Sequence, residues 1–135
     1  LELDLAEREL PVNVDLVQIE QVLLNLVRNA LDALEEMPHE RRRLVIRTGS
    51  SDGGVRVEVE DYGPGIPPDQ LDSLFDPFFT TKESGMGMGL PISQTIIDDH
   101  EGRIWATSES GKGAVFHVVL PAATAQLRHR AAGMA

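Results

Sequence analysis

The stretch QVLLNLVRNALDA, residues 21–33, has the periodicity of an amphipathic helix. Asp15 fits an N-cap with Gln18 three residues on, a capping-box pattern, and the helix should end at about Glu36, before Pro38. We therefore predict one long helix with an apolar stripe toward the core. The residues expected on that stripe are Leu16, Ile19, Leu23, Leu26, Val27, Ala30 and Leu34.

Three polar residues share another side of this helix. Asn25, Asn29 and Asp32 recur at spacings of four and three, so they form a stripe beside the apolar one. A solvated polar stripe is the simpler interpretation of two asparagines alone. Their apolar neighbours, however, put the amides at a margin of the core, where polar groups need partners. An amide oxygen is also a reasonable Mg²⁺ ligand, and Mg²⁺ held in this way takes further oxygens from water and phosphates.

Strands and helices interleave along the rest of the chain. The apolar alternation predicts a strand at residues 1–5 and two hairpins, formed by 42–48 with 55–60 and by 102–108 with 114–120. The chain begins at Leu1 in the middle of this alternating run, so we expect it to be a piece of a longer protein.

Two further helices are expected. PPDQLDSLF predicts a short helix ending near Phe75, and LPISQTIIDDH a helix with Ile92, Ile96 and Ile97 inward. Between them, residues 76–89 are dense in Gly, Pro and Thr and predict a mobile loop.

The composition excludes several classes of protein. The 135 residues suffice for one domain with a real core. A formal charge of -10 repels nucleic-acid phosphate, so we expect no nucleic-acid partner. The chain has no cysteine, and its four histidines lack ligand spacing, which argues against thiolate and zinc sites. A nucleotide site in so acidic a chain must rely on Mg²⁺, helix N-termini and a few placed cations.

Two glycine motifs could carry chemistry. In DYGPGIP, residues 61–67, Asp61 ends a predicted strand and can accept a hydrogen bond from an exocyclic amine, although a plain turn is the simpler interpretation. In GMGMGL, residues 85–90, three glycines precede a helix and could hold phosphate oxygens, although a flexible connector fits as well. Leu90 excludes a dinucleotide fingerprint, and the GKG at Gly111 does not complete a P-loop.

Taken in order, QVLLNLVRNALDA, DYGPGIP, FDPFFTTK and GMGMGL resemble the N, G1, F and G2 boxes of sensor histidine kinases. The resemblance covers residues 1–121 as one catalytic and ATP-binding domain and leaves 122–135 as a tail or linker, which we expect to be disordered. It implies the Bergerat ATP-binding fold, an α+β, two-layer α/β sandwich. Its sheet is mixed and mostly antiparallel, with helices on one face.

The resemblance also implies a site for ATP and Mg²⁺. By that likeness Asn29 ligates Mg²⁺, Asp61 receives the adenine amine, and the catalytic residues are Asn25, Asn29 and Lys82. The residues implied in cofactor binding are Asn25, Arg28, Asn29, Asp32, Asp61, Gly63, Gly65, Ile66, Phe78, Thr80, Thr81, Lys82, Gly85, Met86, Gly87, Met88, Gly89 and Leu90.

Two positions depart from the family pattern. Ala114 and Val115 stand where many relatives carry Ser or Thr, so we expect Asp61 to depend more on water to recognise adenine. Pro91 stands where a small residue is common; it fits a first helical turn but should stiffen the exit of the lid.

By the same resemblance, the chain is a protein-histidine kinase domain that donates the γ-phosphate of Mg-ATP to a histidine elsewhere. The alternatives are a GHKL-type ATPase, an anti-sigma serine kinase or a non-catalytic nucleotide-sensing domain. In the ATPase and serine-kinase branches a glutamate commonly stands where this chain has Asn25, and an amide cannot accept a proton as that glutamate does. His100 and Glu101 begin like an acceptor box, but Gly102 leads into a strand, so we assign His100 to a helix end.

The partners implied lie outside the chain. They are a histidine-bearing dimerisation domain of the same protein and, downstream, the receiver domain of a response regulator. We expect the isolated chain to be monomeric. We expect it in the cytoplasm, or on the cytoplasmic side of the inner membrane if the full kinase is anchored there.

Overall fold

A five-stranded sheet forms the centre of the structure, a computed structural model that describes residues 2–6, 12, 14–51, 53–76, 89–109 and 111–122. The strands are β1 (Glu2–Asp4), β2 (Leu44–Ser51), β3 (Gly54–Asp61), β4 (Arg103–Glu109) and β5 (Gly113–Pro121). The helices are α1 (Leu16–Leu34), α2 (Pro68–Leu71) and α3 (Gly89–Asp99), with one 3₁₀ turn at His39–Arg41.

The strand order is β1-β2-β3-β5-β4. Only the β1–β2 pair is parallel, and the other three pairs are antiparallel. α1 packs on β3 and on α3, while α2 and α3 lie against β4. This mixed sheet with helices on one face confirms the fold class expected from the sequence.

The core lies between α1 and the sheet. α1 starts where expected, since the Asp15 carboxylate accepts a hydrogen bond from the Gln18 N–H at 3.1 Å. Four residues at a spacing of four are buried on this helix, and they pack with Val59 and Phe116 of the sheet. They are Val22, Leu26, Ala30 and Leu34.

The predicted stripe of α1 was wrong at its start. Leu16 is 67% exposed, whereas Val22, which the prediction omitted, is fully buried. Leu16 belongs to the first turn, ahead of the first buried position of the helix. The row at a spacing of four is therefore the one that faces the sheet.

The later helices also differ from the prediction in detail. Ile96 and Ile97 of α3 are buried as expected. Ile92, however, is 37% exposed, and the next residue, Ser93, is fully buried. α3 begins at Gly89, which the prediction had left in the loop. α2 ends at Leu71 and gives way to turns, so it is shorter than the helix expected to reach Phe75.

The two long helices are joined at their ends. His100, just after α3, accepts a hydrogen bond at Nε2 from the Asp15 N–H (3.0 Å), and its Nδ1 lies 2.7 Å from the Ile96 carbonyl oxygen. Because Nε2 must be unprotonated to accept, this arrangement needs the neutral ring with its proton on Nδ1. His100 is thus a helix-end residue, as expected, that fixes the start of α1 against the end of α3.

Long charged side chains cover the other face of the sheet. Arg47 lies 2.6 Å from Glu60 and Arg56 lies 2.9 Å from Glu58, while the rings of Trp105 and His117 stack at 4.9 Å. These ion pairs are partly exposed, and pairs at a protein surface stabilise a fold only weakly. None of the helices in the described ranges is long and apolar enough to cross a membrane.

Candidate functional site

One row of α1 lies beside both glycine motifs. Asn25, Asn29 and Ala33 are spaced by four residues and so form a line along the helix. The Asn25 amide donates hydrogen bonds to the Gly89 carbonyl (3.3 Å) and to Ser93 Oγ (3.2 Å) at the start of α3. At the other end of the row, a Cβ added to Gly63 would lie 3.2 Å from the Ala33 carbonyl oxygen.

The row therefore connects the two motifs through one rigid element. Eight residues of helix separate its ends by about 12 Å. Asn29 is half-buried between them, one turn from each end. The N-terminus of α3, where helix backbone N–H groups and the positive end of the dipole favour anions, lies at the Asn25 end.

Asp61 lies at the Ala33 end of this row, where β3 stops, and we call the surface along the row, from the loop at 63–66 to the start of α3, the groove. Its side chain is only 2% exposed, and its Oδ1 accepts a hydrogen bond from the Gly63 N–H at 3.0 Å. Burial raises the pKa of the Asp61 carboxyl above its ordinary value, and the N–H groups of Gly63 and, to a smaller extent, Ala114 offset part of this rise. Such a carboxylate is a strong and directed hydrogen-bond acceptor.

The loop after Asp61 leaves no room for a side chain at either of its two glycines. A Cβ on Gly63 would approach Asp61 Oδ1 to 2.9 Å, and one on Gly65 would approach the Glu109 carbonyl oxygen to 2.7 Å. Gly65 also has φ +83°, which L side chains rarely adopt. Both glycines are needed to bring this backbone against its neighbours.

Hydrogen bonds fasten the same loop to the β4–β5 hairpin. The Ile66 N–H donates to Ser108 Oγ (2.8 Å), and the Ser108 hydroxyl donates to the Gly113 carbonyl (2.8 Å). The Gly111 N–H donates to the Pro64 carbonyl (3.0 Å). The loop is therefore held on both sides, by its own strand and by the hairpin.

The remaining expected site residues fall into three groups. Asp32 is half-buried on α1, and Arg28 is exposed on it. Gly89 and Leu90 begin α3, and Ile66 and Leu90 also pack against the core. The others lie outside the described residues, and they are Phe78, Thr80, Thr81, Lys82, Gly85, Met86, Gly87 and Met88.

The two departures from the family pattern have clear positions. Ala114 pairs with Asp61 across the β3–β5 ladder, whereas Val115 pairs with Glu60 and so lies on the other face. Pro91 is the third residue of α3, and its carbonyl accepts a hydrogen bond from Thr95 Oγ1 (3.2 Å). A proline in the first turn removes no helical hydrogen bond.

Sequence reasoning missed two serines in this region. Ser93 is fully buried and bonded to Asn25, and Ser108 connects the loop at 63–66 to Gly113. A serine within the apolar face of α3 could have indicated the first. The second depends on which residues β4 and β5 place side by side, which no local pattern contains.

Comparison with known proteins gives the family to which this fold belongs. The chain belongs to the family of histidine kinase-, DNA gyrase B- and HSP90-like ATPases, whose family model matches residues 14–124. Within this family, the similarity is to the ATP-binding catalytic domain of sensor histidine kinases, as the resemblance of the four motifs implied.

Among curated relatives, the chain is 50% identical over 113 residues to the sensor protein FixL of Bradyrhizobium diazoefficiens, covering 83% of this chain and 22% of that protein. It is 44% identical over 118 residues to the C4-dicarboxylate transport sensor protein DctS of Rhodobacter capsulatus, covering 87% and 18%. The chain thus spans about a fifth of the length of these relatives.

Among solved structures, the nucleotide-free catalytic domain of histidine kinase ThkA superimposes with a TM-score of 0.77 at 38% identity, covering 89% of this chain and 76% of that one. Full-length ShkA in complex with AMPPNP superimposes with a TM-score of 0.76 at 31% identity, covering 90% and 26%.

Proposed function

We propose that this chain binds Mg-ATP between α1, the loop at 63–66 and the start of α3, and donates the γ-phosphate to a histidine on a separate dimerisation domain. It would act as the catalytic part of a two-component sensor histidine kinase. The observation that carries the proposal is the row Asn25, Asn29 and Ala33, which runs from the first turn of α3 to the loop beside Asp61.

The Asp61 end of the groove suits adenine. A buried carboxylate can accept from the exocyclic amine of adenine but would face the carbonyl oxygen of guanine. Gly63 and Gly65 leave no side chain between this backbone and a flat ring. Because Ala114 carries no hydroxyl, water would complete the contact to the ring.

The other end suits a hydrated Mg²⁺ carried by phosphates. Among the described residues, no three His, Cys, Asp or Glu side chains come together as a metal site, so this part of the chain offers amide oxygens rather than a carboxylate cage. That donor set fits Mg²⁺, which binds through few protein oxygens together with water and phosphate. Asn29 would hold the ion, and the bound ion would neutralise charge on the phosphates. We place Lys82 and Arg28 near the same phosphates.

Asn25 supports a kinase rather than an ATPase. Its amide donates to Gly89 and Ser93, so it joins α1 to α3, and an amide cannot take a proton from water. A nucleophile activated elsewhere is therefore needed, which agrees with the names of the sensor kinases that the chain resembles.

The proposal extends to partners and location. A histidine-bearing dimerisation domain would supply the acceptor, and the receiver domain of a response regulator would take the phosphate onward. The isolated chain would be a monomer. The protein would lie in the cytoplasm, or on the cytoplasmic side of the inner membrane if the full kinase is anchored there.

Titration calorimetry with ATP and GTP, each with and without Mg²⁺, tests the nucleotide site. We expect ATP to bind in a Mg²⁺-dependent way and GTP to bind much more weakly. Asp61→Asn should reduce the preference for ATP. Equal affinities for ATP and GTP in the wild type, or undiminished ATP binding by Asp61→Asn, would contradict the assignment of Asp61.

A further inference from the structure

Ser108 lies in the same cross-strand row as Asp61. Ala114 of β5 pairs with Asp61 on one side and with Ser108 on the other, so the three residues line one face of the sheet at one level. This is the face that carries the core and the groove, because Phe116 and Ile104 alternate onto it. Ser108 therefore places a hydroxyl at the level of the sheet where Ala114 has none.

The hydrogen bonds of Ser108 run to both segments beside the Asp61 carboxylate. Its hydroxyl donates to the carbonyl of Gly113, the residue before Ala114, which lies opposite Asp61 in the β3–β5 ladder. Its oxygen accepts from the Ile66 N–H, at the end of the loop whose Gly63 N–H donates to Asp61 Oδ1. One serine thus connects the start of β5 to the loop that orients this buried carboxylate.

We propose that Ser108 is a positioning residue for adenine recognition, acting through Asp61 and the loop at 63–66; this inference rests on the function proposed above. The bond to the Gly113 carbonyl holds the start of β5 at the point where Ala114 lies opposite Asp61. The bond to Ile66 fixes the distance between the loop and the hairpin, at a point where Gly65 already lies against Ser108 and Glu109.

The test compares two nucleotides that differ only in the group that Asp61 would recognise. Purine riboside triphosphate lacks the exocyclic amine of ATP and keeps the remaining contacts. We expect Ser108→Ala to reduce the ratio of the two affinities by about three- to tenfold, the usual effect of one hydrogen bond, while binding of the amine-free nucleotide changes little. Ser108→Thr keeps the hydroxyl and should preserve the wild-type ratio.

Thr107→Ala is the matched control. Thr107 is the neighbour of Ser108 on β4, but it is exposed on the other face, where its hydroxyl meets His117 at 2.8 Å. This variant should leave both affinities unchanged. The double variant Asp61→Asn with Ser108→Ala should have the same ratio of the two affinities as Asp61→Asn alone, because the carboxylate through which Ser108 acts is gone.

The outcomes separate this inference from the function on which it rests. If Ser108→Ala lowers both affinities equally, or leaves the ratio unchanged, Ser108 is only structural and the inference is wrong. If the wild type itself does not distinguish the two nucleotides, the assignment of Asp61 to adenine fails first. Should Ser108→Ala not fold, Ser108→Cys replaces it, because a thiol of similar size bonds more weakly and should also reduce the ratio.

Discussion

Asp61 combines burial with a charge, and the two oppose each other. The side chain is 2% exposed, and burial raises its pKa, which means that the folded chain holds the ionised form less well than water does. Two backbone N–H groups reduce this penalty without removing it. A carboxylate kept at such a position indicates a role other than stability.

The pH dependence of stability should reveal this opposition. A raised pKa in the folded state favours folding at low pH, and that contribution is lost as pH rises from the ordinary value of 3.8 through the folded value. Asparagine does not titrate, and the other acids are common to both proteins. From about pH 4 to about pH 7, without nucleotide, the wild type should therefore lose stability relative to Asp61→Asn. The melting temperature of the variant minus that of the wild type should increase over this range. A difference that stays constant or decreases would contradict the raised pKa.

Asn29 offers a contrast between binding and stability. It is half-buried in the middle of α1, and alanine favours a helix by about half a kcal/mol over asparagine. We expect Asn29→Ala to weaken Mg-ATP binding at least about tenfold while the melting temperature without ligand changes by only a few degrees. Calorimetry and thermal unfolding on the same samples decide this. A sharp fall in melting temperature without ligand would instead make Asn29 a structural residue.

At the scale of elements, α1 divides sharply into a buried and an exposed side. Leu26 is fully buried, whereas Leu24, two residues earlier, is 62% exposed. Leu26→Ala should lower the free energy of unfolding by about 2–5 kcal/mol, the usual effect of a cavity in a packed core. Leu24→Ala is the matched control on the same helix and should change it by less than about 0.5 kcal/mol. Similar losses for both, measured by urea unfolding, would mean that the helix is rotated from the orientation described.

The elements themselves were largely predictable because their signals are local. The periodicity of α1, its Asp15 cap and the alternation of the β2–β3 hairpin each depend on residues close in sequence. The errors arose where the burial of a helix residue depends on a partner that is distant in sequence. Leu16 and Ile92 fit an apolar stripe, yet both are exposed, because the position of the sheet decides which part of the stripe is covered.

The residues of the candidate site also differ in whether their signal is local in the sequence. Asp61 and the glycines of its loop could be identified because the motif lies in one continuous stretch. Ser108 could not, since its role depends on the register that puts it opposite Ala114 and next to the loop at 63–66. Ser93 is an intermediate case, because its spacing on α3 is visible in the sequence but its partner Asn25 lies 68 residues away.

At the scale of the whole molecule, the described part of the proposed nucleotide site offers no acceptor for a phosphate. Phosphoryl transfer needs an in-line nucleophile and a group that orients or deprotonates it. Asn25 is an amide engaged with α3, and His100 is held between the Asp15 N–H and the Ile96 carbonyl at the far end of that helix. The Asn25 amide lies beside Gly89 but is neither a nucleophile nor a base, and His100 lies at the opposite end of α3 from Gly89.

We therefore expect the chain alone to bind ATP without phosphorylating itself or hydrolysing ATP at an appreciable rate. Adding a separate dimerising domain that carries the acceptor histidine should restore transfer, because that domain supplies the missing nucleophile in line with the γ-phosphate. Incubation with radiolabelled ATP tests this: the label should appear on the added domain as an acid-labile phosphate, and an added domain with its histidine replaced by glutamine should stay unlabelled. Rapid release of phosphate by the chain alone would assign it to the ATPase branch of its family. Label on a serine of an added protein would favour the serine kinases instead, since the nucleophile identifies the branch where the shared fold does not.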